Sequence, residues 1–114
     1  MNKTIGLMAL AALPFTAQAD AQSTIDLAHM EITSDILQGC VNDLKQGSTF
    51  MESSDCMTGT EPEVMAKVHE ATARIIADPD NLSDIQLIRF QMYQERIATS
   101  LIYIRVKMEQ ELAS

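Results

Sequence analysis

The first nineteen residues constrain this chain more than any other feature, because they set the compartment in which the rest must fold. Residues 1–4 are short and basic through Lys3, and residues 5–15 form an apolar run with Pro14 near its end. Ala17-Gln18-Ala19 then places small residues in an Ala-x-Ala arrangement just before Asp20. This is the three-part pattern of a cleaved secretory leader. The apolar run is too short to span a bilayer, which takes about 20 residues. The residue directly after the cleavage point is Asp20 and not a cysteine, which argues against a lipid anchor. The expected organisation is a leader over 1–19 and a single small domain over 20–114, periplasmic or secreted, with no membrane span in the mature chain.

Removing 19 residues from 114 leaves 95, enough for one modest core. The full chain carries a net charge of −8, and losing Lys3 makes it more negative still. A chain this acidic lacks the basic footprint that nucleic acids and anionic membranes require. The charge is uneven. Residues 20–63 hold nine acids and one base, Lys45, whereas residues 64–114 hold seven acids and six bases. The acidic half could steer a basic partner, or simply keep the protein soluble.

Cys40 and Cys56 are the two cysteines. In an oxidising compartment an even pair predicts a disulfide. Closing a loop of that size is worth about 3 kcal/mol in the chain-entropy picture. The spacing is not Cys-x-x-Cys, which disfavours a thioredoxin-like redox role.

The mature chain has only three glycines and two prolines, and they punctuate three helical segments. Over 22–45, Ile25, Ala28, Ile32, Ile36, Cys40 and Leu44 recur at three- and four-residue steps, widened by Met30, Leu37 and Val41. Gly47 stands where a C-terminal cap belongs, and Gly39 inside the helix suggests a close approach by another element. Residues 48–59 read as a polar connection held by the disulfide. Thr60-Glu61-Pro62-Glu63 reads as a capping box opening a short helix. Val64, Met65, Val68, Ala71, Thr72, Ile75 and Ile76 give that helix its apolar face, and Asp78-Pro79 ends it. Ser83-Asp84-Ile85-Gln86 is a second capping box, with Leu82 and Leu87 as a hydrophobic staple. The last helix then runs almost to Ser114, about 45 Å at 1.5 Å per residue. The expected fold is all-α: a three-helix, antiparallel, hairpin-like bundle with a long C-terminal helix and one disulfide.

Residues 101–106 (Leu-Ile-Tyr-Ile-Arg-Val) are apolar nearly all round. Such a stretch must be enclosed by the rest of the chain or by a partner. The two histidines, His29 and His69, lack the converging ligands of a metal site. No nucleophile has a base in its sequence context, and there is no glycine-rich phosphate loop and no Gly-x-Ser-x-Gly. Of the six methionines after the leader, the four in helical segments (Met30, Met65, Met92 and Met108) read as core fillers, while Met51 and Met57 lie in the polar connection and lack the regular spacing of copper ligands. The expectation is no enzyme, no cofactor and no metal. The protein would act instead by protein–protein contact or self-assembly through the C-terminal helix.

The C-terminal part resembles a known family. Residues 73–82 (Ala-Arg-Ile-Ile-Ala-Asp-Pro-Asp-Asn-Leu) precede Leu87-Ile88-Arg89-Phe90-Gln91 and the long helix. This is similar to the tail of inner rod proteins of type III secretion systems, and more loosely to needle subunits. The resemblance implies a structural assembly role, with Leu87, Phe90, Ile97, Leu101 and Ile104 as packing positions against a partner. Two features depart from the family pattern: the cleavable leader and the cysteine pair. The rival expectation is a soluble periplasmic inhibitor, immunity or chaperone-like module that binds through its acidic first half.

Overall fold

In a computed structural model the chain is all-helical, and residues 2–114 are described, their side chains from Ala21 onward. The leader expected over 1–19 lies outside the residues with described side chains. The elements are α1 (Asn2–Lys45), α2 (Ser54–Gly59), α3 (Pro62–Ala77), a 3-10 turn (Pro79–Asn81) and α4 (Asp84–Ala113). Among the described residues there is no strand, and no helix is long and apolar enough to cross a membrane.

Cross-contacts fix the directions. Asp26 meets Arg74 and Met30 meets Thr72, so α3 runs back down α1. Glu31 meets Tyr93, Asp35 meets Arg96 and Lys45 lies over the Tyr103 ring, so α4 runs parallel to α1. The result is an up-down-up bundle in which both α3 and α4 pack along α1.

The buried stripe of α1 is Leu27, Met30, Ser34, Leu37, Val41 and Leu44, a strict alternation of three- and four-residue steps. This corrects the phase expected from sequence. Ile25 and Ile32 are about half exposed, and Met30 and Leu37 are fully enclosed. Facing them are Val68, Ala71 and Ile75 of α3 and Phe90, Tyr93, Ile97 and Ile104 of α4. Each fully buried aliphatic side chain of this size is worth about 1.5–3 kcal/mol. Of the face expected on α3, Ile76 is exposed.

The top of α1 ends as Gly47 predicted. Its φ is +104°, its N–H bonds the Leu44 carbonyl at 3.2 Å, and the Ser48 N–H bonds the Asp43 carbonyl at 3.1 Å. That pair of bonds is a Schellman cap. The connection that follows is more ordered than a loop. The Ser53 hydroxyl caps α2 by accepting from the Cys56 N–H at 3.1 Å, and donates to Asp43 at 3.1 Å. Cys40 and Cys56 are joined, with Cα atoms 4.6 Å apart and both side chains fully buried. Gly39 and Gly59 let α2 lie this close. A Cβ on Gly59 would meet Leu37 Cδ2 at 2.7 Å, and one on Gly39 would strike the Asp55 carboxylate.

The capping box expected at Thr60 does not form. α3 starts one residue later, with Glu61 at its N-cap and Pro62 in its first turn, and the Thr60 hydroxyl donates to the Cys56 carbonyl at 2.7 Å. The end of α2 takes the hydroxyl that a capping box at the start of α3 requires. The second box is complete: Gln86 accepts from the Ser83 N–H at 2.9 Å, and Ser83 accepts from the Gln86 N–H at 3.2 Å. Leu82 is buried beneath it.

Candidate interaction surface

α4 carries two apolar stripes, one on each side. The inner stripe holds Phe90, Ile97 and Ile104, all under 7% exposed, with Leu87 and Leu101 half-buried against the same core. These five are the packing positions expected to face a partner. Within this bundle three of them face α1 and the core instead. The seven-residue spacing of Phe90, Ile97 and Ile104 matches that of Met30, Leu37 and Leu44 on α1, so the two parallel helices bury each other's stripes.

The outer stripe holds Ile85, Ile88, Met92, Ile102 and Val106, 44–65% exposed. Their steps of three, four, ten and four residues keep them on one helix face. Glu95 and Thr99 occupy the two missing positions in the middle, and both are exposed. Sequence reasoning reached its C-terminal end, Ile102 and Val106 within the all-round apolar run 101–106, and passed over its continuation through Ile85, Ile88 and Met92. Its signal is the same periodicity displaced by two residues from the inner stripe, and a single helix cannot reveal which of two stripes its bundle encloses.

Toward its C-terminus α4 also walls an apolar groove of about 420 Å³, lined by Leu101, Ile104, Met108 and Leu112 and closed at one side by Thr60. On the other side, a groove of about 410 Å³ between α1 and α4 contains Val41, Met92 and Tyr103. Lys45, Arg96 and Glu95 also line it. The ammonium groups of Lys45 and Lys107 lie 5.6 and 5.7 Å from the centroid of the Tyr103 ring.

Three carboxylates of the acidic half, Asp26, Glu31 and Asp35, are engaged within the fold. Asp26 is buried and takes two hydrogen bonds from Arg74, at 2.7 and 3.0 Å, and one from Gln22 at 2.9 Å. Burial pushes its carboxyl upward in pKa, but the hydrogen bonds from Arg74 and Gln22 and the Arg74 charge outweigh that and hold it below the ordinary value. Glu31 accepts a hydrogen bond from the Tyr93 hydroxyl. That bond, with burial and the Glu31 charge, holds the phenol above its usual value. Asp35 pairs with Arg96 at 3.5 Å. These carboxylates tie α1 to its two neighbours.

Among the described residues, no three His, Cys, Asp or Glu side chains gather where they could hold a metal ion. His29 is half-buried and His69 is exposed. Comparison with protein-family models, curated proteins and solved structures finds no match to this chain.

Proposed function

We propose that this is an exported, non-enzymatic helical protein, cleaved after Ala19, that acts by protein–protein interaction through the outer face of α4. It serves as a structural or assembly component of the cell envelope or of a secretion apparatus, in the periplasm or beyond it. The observation that carries this reading is the second apolar stripe of α4. Five large apolar side chains on one face, none of them needed by the core, fit a surface that another protein covers. The closed Cys40–Cys56 bridge supports export, since reducing compartments keep such thiols apart. The likeness of residues 73–91 to inner rod subunits supports a place in an assembly, with contacts made by Ile88, Met92, Ile102 and Val106 and not by Phe90, Ile97 and Ile104. The acidic half is the weaker candidate, because Asp26, Glu31 and Asp35 already serve Arg74, Tyr93 and Arg96.

The test is capture from envelope extract with the disulfide intact. Wild-type protein should retain a partner that Ile88→Asp and Ile102→Asp lose, while both variants keep wild-type helicity. Equal capture by all three would overturn the reading. Mass spectrometry of the exported protein should find Asp20 at the N-terminus, and an intact leader would remove the export part.

A further inference from the structure

We propose that the occupant of the outer α4 face is a second copy of this chain, packed antiparallel about a two-fold axis level with residue 97. This rests on the reading of that face as an interaction surface, and names its partner.

An interface between two identical copies about a two-fold must be complementary to itself: whatever stands at one distance from the axis must suit what stands at the same distance on the other side. The outer stripe meets that condition. Ile88 and Val106 lie nine residues either side of 97, Met92 and Ile102 five, and Glu95 and Thr99 two. In the antiparallel register Ile88 therefore faces Val106 of the second copy, and Met92 faces its Ile102. Each contact is made twice. At the centre Glu95 faces Thr99 of the second copy, whose hydroxyl donates to the carboxylate. Ile85 at the outer end lies along the methylene stem of Glu109.

Charge chooses the same direction. Arg96 stands at the edge of the stripe, held only by an exposed 3.5 Å contact with Asp35. In the antiparallel register its guanidinium lies within one helical turn of Glu95 on the second copy, so two arginines and two glutamates share the centre. A parallel register would set Glu95 against Glu95 and Arg96 against Arg96, which repel.

The stripe spans 22 residues from Ile85 to Val106, about 32 Å of helix. Two such faces bury roughly 1,000 Å², at the low end of specific interfaces. The pair is therefore concentration-dependent. Each copy also carries a strong net negative charge, so salt that screens this repulsion strengthens the pair.

The test uses the exported chain with its native disulfide formed, in two variants that each add one cysteine, Ile88→Cys and Val106→Cys. The antiparallel register holds residue 88 about 27 Å along the axis from residue 88 of the other copy, so neither variant should link to itself under mild oxidation. An equal mixture of the two should give a covalent dimer. By sedimentation the wild-type mass should double between roughly 1 μM and 1 mM, and Ile88→Asp should weaken association ~10-fold or more at unchanged helicity. Self-linking of either variant alone would mean parallel packing and overturns the proposal. A wild-type monomer throughout that range also overturns it. Neither result touches the broader reading of the α4 face, which falls only if Ile88→Asp captures a foreign partner as well as wild type does.

Discussion

Arg74 holds both carboxylate oxygens of Asp26, Nη2 on Oδ1 at 2.7 Å and Nε on Oδ2 at 3.0 Å, and so pins the last turn of α3 to the lower part of α1. Asp26 is almost wholly buried, whereas Arg74 is half exposed, so the carboxylate bears the greater penalty if the pair is broken. Its folded pKa lies below the unfolded value of about 3.9. The contribution to stability is therefore complete above that value and is lost as pH falls through the folded pKa. Asp26→Asn should cost about 1–3 kcal/mol at pH 7. It should also flatten the fall in stability below pH ~4, measured by urea unfolding at pH 7 and pH 3. An unchanged acid profile would show that other carboxylates govern it.

Tyr93 gives the opposite pH dependence on the other seam. Its hydroxyl donates to Glu31, and its folded pKa is raised. The stabilisation is present below the unfolded phenol pKa of about 10 and fades as pH rises through the folded value. Tyr93→Phe should remove this alkaline loss and cost about 0.5–1.5 kcal/mol at neutral pH. Spectrophotometric titration should find one tyrosine ionising above the ordinary range, and that step should vanish in the variant.

Three glycines separate steric from backbone effects. A Cβ on Gly59 meets Leu37 Cδ2 at 2.7 Å and Ile36 Cγ2 at 3.2 Å, and Leu37 is fully buried with no room to yield. Gly59→Ala should cost about 1–3 kcal/mol through overpacking. At Gly39 the obstacle is the end of the Asp55 side chain, which can swing away. Gly39→Ala should be milder, since alanine returns about 1 kcal/mol of helix propensity. Gly47 has nothing within 4 Å, but its φ is +104°, so Gly47→Ala should cost about 1–2 kcal/mol from the backbone alone. The order of melting temperatures checks all three.

The disulfide joins α1 to the six-residue α2, which is too short to persist alone. Cys40→Ala with Cys56→Ala should lower stability by about 3 kcal/mol and melt α2 before the rest. Hydrogen exchange over residues 54–59 of the variant reports the local step. If exchange there matched wild type, the Ser53 cap would suffice without the bridge.

What was legible in the sequence follows from where its signals are local. Gly47, Ser83 with Gln86, and Asp78-Pro79 act within four residues, and each marks the boundary it predicted. The disulfide was legible because only two cysteines exist. Signals that depend on a neighbour were misread. Ser34 lies in the middle of the buried stripe of α1 and hides it, while Ile25 and Ile32 advertise a stripe that solvent covers. Thr60 has two helix ends within reach, and only the fold decides between them. α2 was missed because its six residues carry no apolar period, and its order comes from Ser53, Asp43 and the bridge.

The two faces of α4 make the sharpest contrast between core and surface. Phe90 and Ile97 are buried against α1, and truncating either to alanine should cost about 2–5 kcal/mol by leaving a cavity. Ile88 and Met92 are more than half exposed, half a turn away from Phe90 on the opposite face of the same helix. Ile88→Ser and Met92→Ser should stay within about 0.5 kcal/mol of wild type in monomer stability. Guanidinium unfolding at low protein concentration separates the sets, because any association through the outer stripe is then diluted out. Were Ile88→Ser as costly as Phe90→Ala under those conditions, the outer stripe would belong to the core, and α4 would have one working face instead of two.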